Sequence, residues 1–221
     1  MMPDWWTLQP VRGIATGKSR LAAVLDAAAR AALNRHLLTH TLEVIEEWRG
    51  DLRQCVVVSP CEEALACARV AGAQVLREPA GGDLNTALAF GAAEVAVRGG
   101  ERLLVLACDL PLLSAAALDA LTERVTAGLA AIAPDRTGSG SNALALNADA
   151  RDVFHFGVDS CARHLAAFAR ADLRGIRVER GDLAFDLDTP QDYAEWMAKQ
   201  DARIPRGLSL SREHQTIKAG K

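Results

Sequence analysis

The sequence predicts an α/β fold, with a mixed, mainly parallel sheet covered by helices on both faces. Short apolar runs of strand length alternate with longer stretches in which apolar residues recur every three to four positions. Two of the runs, CVVVS and RLLVLACD, are continuously apolar, as expected of strands buried on both faces. Half of the 221 residues are apolar and 24% are charged, enough to fill one core. No internal repeat is visible, so the chain reads as a single domain over residues 1–200, with a polar, patternless, mobile tail at 201–221.

The elements follow in order. Residues 6–11, WTLQPV, form a first strand, with Trp5 and Trp6 anchoring it or serving a subunit contact in a homodimer. From Asp26, a plausible N-cap, a long helical pattern runs to residue 48. CVVVS at 55–59 is a strand ended by Pro60, followed by a helix at 62–71 and a strand at 73–78. A helix at 84–97 leads into the strand at 102–109, and Ser114 caps a helix at 115–125. The runs LAAIAP and NALALN are two further strands, the second a candidate for antiparallel pairing. A helix at 161–170 precedes GIRVER, and LAFDLD reads as a strand. Thr189 then caps a last helix with Pro190 at its first position and Asp192 in its first turn.

Composition excludes several classes of function. Lys and Arg number 25 against 28 Asp and Glu, so a net charge of −3 gives no basic field for nucleic acid or membrane. Ten aromatic residues are too few for a stacking platform. No apolar run approaches the about 18 residues of a membrane span, and the N-terminus lacks signal-peptide character, so a cytoplasmic protein is expected. The five cysteines form no CxxC pair and read as reduced thiols. His36 and His40 have zinc-compatible spacing without a third ligand, and a structural role is preferred.

Three segments carry chemistry. In PVRGIATGKSR, Gly13, Ala15 and Gly17 alternate with Arg12, Lys18 and Arg20, a pattern suited to gripping polyphosphate or to a plain solvated loop. It is one residue short of a P-loop, since only three residues separate Gly13 from Gly17. Asp109 follows a buried strand directly and so stands at the carboxyl edge of the sheet, where ligands bind in such folds. Asp186 and Asp188 alternate and, on a strand, would face the same way, either toward a cation or as a solvated residue and a cap neighbour.

Together VRGIATGKSRL, GDLNTAL, DLPLL, DRTGSGSNAL, FGVDSCARHL and LDTPQDY resemble the CofC/FbiD guanylyltransferases of coenzyme F-420 biosynthesis, from about residue 11 to 193. The resemblance implies a GT-A-like Rossmann nucleotidyltransferase, a three-layer sandwich. It implies GTP as donor, Mg2+, and a phosphorylated three-carbon acid as acceptor: 2-phospho-L-lactate, phosphoenolpyruvate or 3-phospho-D-glycerate. It also suggests handover of a labile product to a downstream transferase. By the same resemblance, Asp109 and Asp188 hold the metal with Asp186 in reserve, and Lys18 and Arg20 stabilise the leaving pyrophosphate. Arg12 stands where the family usually has lysine, beside Gly13; Ser59, Gly82 and Asn85 belong to guanine recognition. Ser141, Gly157 and Ser160 belong to the acceptor, with the amides where Ser160 starts a helix as further donors and Arg163 and His164 as added positive charge. Cys108 and His155 depart from the family pattern near the acceptor, and an extra imidazole at 155 suits 3-phosphoglycerate. Rival readings are a molybdenum-cofactor guanylyltransferase-like enzyme and a P-loop-like GTP-binding switch module.

Overall fold

A computed structural model describes residues 5–79, 81–150 and 153–203. The chain runs β1 (Trp5–Pro10), a 3-10 helix (Ser19–Ala23), α1 (Ala27–Arg49), β2 (Cys55–Ser59), α2 (Glu62–Ala71), β3 (Gln74–Arg77), α3 (Leu84–Val97) and β4 (Arg102–Leu106). It continues with α4 (Ala115–Thr122), β5 (Leu129–Pro134), β6 (Ser141–Asn147), α5 (Ser160–Arg170), β7 (Arg174–Arg177), α6 (Gly181–Ala184) and α7 (Pro190–Arg203). The expected tail beyond α7 lies outside the described residues. No described helix is long and apolar enough to cross a membrane.

The helix starts obey local chemistry. Asp26 accepts the Ala29 N–H at 2.7 Å, Asp83 that of Thr86 at 2.8 Å, and Ser114 that of Ala117 at 3.2 Å. At α7, Thr189 Oγ1 accepts the Asp192 N–H while Asp192 Oδ2 accepts the Thr189 N–H, a reciprocal cap. α1 and α2 stop at Gly50 and Gly72, both left-handed.

The sheet has the order β3-β2-β1-β4-β6-β5-β7. β1, β2, β3 and β4 are mutually parallel, β5 pairs parallel with β7, and β6 runs antiparallel between β4 and β5. Alternate strand residues feed two cores, as the two-residue period of a strand requires. Trp5, Val57, Leu104 and Leu106 meet α1, α2 and α4 on one face; Trp6, Leu8, Val56 and Val105 meet α3 and α5 on the other. Both tryptophans are buried, so neither offers an indole for a subunit contact.

A third, smaller cluster matters most for the site. Leu21 and Leu25, Leu33 and Leu37 of α1, Phe185, Leu187, and Trp196 of α7 pack together. Each such side chain contributes roughly 1.5–3 kcal/mol on burial. The cluster seals the segment before α7 against the turn after β1.

Residues 183–188 do not form the strand that the alternation predicted: 183–184 end α6 and 185–188 are irregular. Their side chains do alternate, Leu183, Phe185 and Leu187 being buried, but Leu183 packs into the core with Leu104 and Leu106, and Phe185 and Leu187 into this cluster, without a strand ladder. β4 likewise stops at Leu106, short of the expected Asp109. Its neighbour β1 ends at Pro10, which has no N–H to extend the pairing.

Candidate active site

β1 lies between β2 and β4, so the chain connections leave it in opposite directions. Ligands bind at the carboxyl ends of the strands at such a switch point. A cavity of about 410 Å³ opens there, bounded by the turn after β1, residues 107–109 after β4, the start of β6, the start of α5, and Asp186 and Asp188.

The turn after β1 is held tightly. A Cβ on Gly17 would lie 2.7 Å from Asn34 Nδ2 and 3.0 Å from Gly13 O, so a larger residue would force the turn open. Asn34 of α1 donates to Ile14 O at 2.7 Å and fixes its height. The following Lys18 is left-handed (φ 58°) and leads into a five-residue 3-10 helix, while α1 starts only at Ala27. A P-loop needs the lysine at the start of an α-helix, so the switch-module reading fails on geometry as well as on loop length.

Lys18 turns inward with its side chain only 7% exposed. Its ammonium donates to Asp109 Oδ2 at 2.7 Å and to Asp188 Oδ1 at 2.9 Å. Burial alone would lower its pKa, but the two carboxylates outweigh burial and hold it above the ordinary lysine value. The Leu187 N–H donates to Asp109 O at 3.0 Å, a main-chain tie that places residue 188 beside residue 109. Asp192 Oδ2 accepts from the Asp188 and Thr189 N–H groups and fixes the same segment from α7. Arg20 approaches Asp188 at 3.7 Å but stays largely exposed and does not line the cavity.

Asp186 lines the cavity, and among the described residues no cation pairs with it. Burial, then the Asp109 charge, raise its pKa. A carboxyl that binds its proton more tightly when folded opposes stability once pH exceeds its folded pKa. Asp186→Asn is therefore expected to raise the melting temperature of the metal-free protein at neutral pH. The shift amounts to about 2–4 °C per kcal/mol relieved, read by thermal denaturation. Among the described residues, no three His, Cys, Asp or Glu side chains form a preassembled metal cage. Two carboxylates converging on one cation, with a third alongside, suit a hard divalent ion that takes its other ligands from phosphate and water.

Ser141, Gly157 and Ser160 all line the same cavity. Gly157 has φ 126°, a conformation other residues adopt only under strain. Ser160 is the first residue of α5 rather than its cap; Asp159 precedes it, left-handed and without a capping hydrogen bond. The amides there are spent internally: Ser160 N–H on Gly157 O, Cys161 N–H on Ser139 O, Arg163 N–H on Asp159 O. These three main-chain N–H groups are therefore not free donors at the helix start. Arg163 is exposed and His164 fully buried, and neither lines the cavity. Burial first, then His155, lower the pKa of His164 to about 4, so it adds no charge at neutral pH.

Cys108 lines the cavity; burial, then Asp109, push its thiol up to about 12, so it stays protonated. His155 does not line it. Its ring leans on that of His164, 6.4 Å between centroids. Arg12 and Gly13 line the cavity, whereas Ser59, Gly82 and Asn85 do not. Ser59 is buried and its hydroxyl accepts the Cys61 N–H. Asn85 exchanges two hydrogen bonds with the Phe156 main chain, at 2.7 and 3.1 Å, tying α3 to the loop before Gly157. Residues that sequence reasoning missed include Asn34 and Glu78, which is buried and faces Arg12 at 3.9 Å. A single Asn in a helix or a Glu after a strand gives no local signal of either role.

The sequence matches the family described as "Guanylyl transferase CofC like" over residues 6–206. A phosphoenolpyruvate guanylyltransferase from Rubrobacter xylanophilus is 43% identical over 190 residues, covering 84% of this chain and 89% of that protein. A 3-phospho-D-glycerate guanylyltransferase from Phenylobacterium zucineum is 37% identical over 187 residues, covering 84% and 86%. In fold, the chain resembles a nucleotidyl transferase from Methanothermobacter with TM-score 0.64 at 17% identity, over 88% of this chain and 98% of that one. A CMP:2-keto-3-deoxy-manno-octonic acid synthetase complexed with CTP gives 0.61 at 13%, over 91% and 100%. With a cavity at the switch point, a buried lysine between two carboxylates, and these relatives, the chain belongs to the CofC-like guanylyl transferase family of nucleotidyltransferases.

Proposed function

We propose that the protein transfers GMP from GTP to the phosphate of a small phosphorylated three-carbon acid, releasing pyrophosphate, as a step in coenzyme F-420 biosynthesis. The observation that carries this is the Lys18 ammonium held between Asp109 and Asp188 in a cavity that Ser141 and Ser160 also line. The first three residues suit polyphosphate and a cation, the two serines the oxygens of an acid.

An acceptor phosphate oxygen attacks the α-phosphorus of GTP, and the bond to the bridging oxygen of pyrophosphate breaks. A phosphate monoester has a second pKa of about 6, so the attacking group is already a dianion and no general base is needed. This suits a cavity that neither His155 nor His164 lines. Asp109 and Asp188 would hold Mg2+, with Asp186 next to them, and the ion supplies charge neutralisation at the phosphates when bound. Lys18, together with Arg20 at the rim, neutralises the leaving group, and the tight turn at Gly13 and Gly17 lets main-chain groups approach it. Arg12 and Gly13 border the nucleotide directly. Ser59, Gly82 and Asn85 shape the loops around it.

Phosphoenolpyruvate is the first candidate acceptor, since the Rubrobacter relative is named for it. His155 no longer argues for 3-phosphoglycerate, because its ring lies outside the cavity lining. His155→Ala is expected to leave the ranking among the acids unchanged, each kcat/KM ratio within about twofold of the native protein's. A product of this class is labile, which favours handover to a downstream transferase in the cytoplasm. The deciding experiment crosses GTP, ATP, CTP and UTP with phosphoenolpyruvate, 2-phospho-L-lactate, 3-phospho-D-glycerate and molybdopterin in Mg2+. Pyrophosphate should appear only with GTP and a phosphorylated three-carbon acid. Inorganic phosphate released without any acceptor, or turnover with molybdopterin alone, would refute the assignment.

A further inference from the structure

His164 is fully buried in α5 and takes no part in the chemistry above. The main-chain N–H of His155 donates to its Nε2 at 3.0 Å, and its Nδ1 lies 2.9 Å from Ser141 Oγ. Phe156 meets the ring edge-on and Phe168 lies beside it, with centroids 4.6 and 6.4 Å away. A ring nitrogen that accepts from an amide carries no proton, so a neutral imidazole here has its hydrogen on Nδ1. Burial first and then His155 hold the ring neutral, outweighing a main-chain hydrogen bond at Ser160 that favours the charged form. The Nδ1–H therefore donates to Ser141 Oγ. Ser160 Oγ also donates to Ser141 Oγ, at 3.2 Å. Both lone pairs of Ser141 are thus engaged by the protein. Among the described residues nothing accepts its own proton, and Ser141 lines the cavity.

We propose that His164 is a positioning residue for the acceptor: by donating from Nδ1 it holds Ser141 with the hydroxyl proton aimed into the cavity, a fixed donor for a phosphate or carboxylate oxygen. The chain of donors runs one way, from the His155 amide through the imidazole to the serine. A ring with its hydrogen on Nε2 would take the serine proton for itself and leave a lone pair facing an anion. The inference rests on the acceptor-side assignment of Ser141 made above. It adds the residue that gives that serine its direction.

Two measurements test it. The first reads imidazole nitrogen shifts of the free native protein by NMR between pH 6 and 8. A neutral ring with Nδ1 protonated is expected throughout; an Nε2–H tautomer or a charged ring overturns the proposal. The second is a double-mutant cycle on acceptor kinetics. His164→Gln retains an acceptor for the His155 amide but no donor at Ser141, and His164→Asn presents a side-chain N–H where Nδ1–H stood. Ser141→Ala should cost about tenfold in kcat/KM for the acid in the native background and less than about twofold in H164Q, with KM for GTP unchanged. H164N should recover most of the loss seen in H164Q. A full tenfold cost of Ser141→Ala in both backgrounds overturns the proposal alone. Absence of turnover with every phosphorylated acid overturns the acceptor assignment and this inference with it.

Discussion

Asp109→Asn is expected to slow pyrophosphate release by about 10²–10³-fold at saturating GTP and acceptor. Asparagine fills the same volume, and Lys18 keeps its bond to Asp188, so the fold should survive. What disappears is one of the two charges that converge at the carboxyl end of the sheet. Metal affinity should fall with the rate, and raising Mg2+ should restore part of the activity. The main-chain bond from Leu187 to Asp109 does not depend on the side chain, so the segment carrying Asp188 stays in place. An unchanged rate would mean that Asp109 merely anchors Lys18.

Lys18→Met should have the second large effect, and its two consequences separate charge from packing. Methionine is of similar length and meets the same left-handed backbone, so the comparison isolates the ammonium. Activity should drop by about 10³-fold, because nothing else buried in the cavity neutralises the leaving group. Stability should fall as well, since Asp109 then loses its ammonium partner and Asp188 keeps only the exposed Arg20 at 3.7 Å. Losing one partner of a fully buried pair costs about 3–5 kcal/mol. The side chains of Asp109 and Asp188 are 26% and 40% exposed, so roughly 1–2 kcal/mol is the appropriate figure after screening. Divalent ions should raise the melting temperature of the methionine variant more than that of the native protein, because the ammonium no longer competes for the carboxylates. Calorimetric melting with and without Mg2+ reads both effects.

Much of this arrangement was legible in the chain before folding. The caps at Asp26, Ser114 and Thr189 are local chemistry, and each stands where a side-chain oxygen meets an amide three residues on. Asp109 was legible because an acid directly after a buried strand has nowhere to go but the sheet edge. The 183–188 segment was misread because two-residue alternation reports which side chains are buried, not what buries them. Here two side-chain clusters do that, and no strand pairs with it. The amides where Ser160 starts its helix were expected as donors to the acceptor; that they are bonded internally depends on Gly157 and Ser139, which no local pattern at the helix start reveals. His164 was expected as added positive charge at the acceptor; that it is instead a buried, neutral ring gave no local signal, since its two partners lie nine and 23 residues away in sequence. Contacts of that kind are set by the sheet order, which local pattern does not encode.

The central claim is that Asp109 and Asp188 act on one divalent ion at the GTP triphosphate. Paramagnetic resonance of Mn2+ bound in the presence of a non-hydrolysable GTP analogue tests it most directly. The account predicts a single protein-dependent Mn2+ site per chain in the native protein, lost or weakened at least about tenfold in both Asp109→Asn and Asp188→Asn. Mn2+ binding that is unchanged in both variants would contradict it.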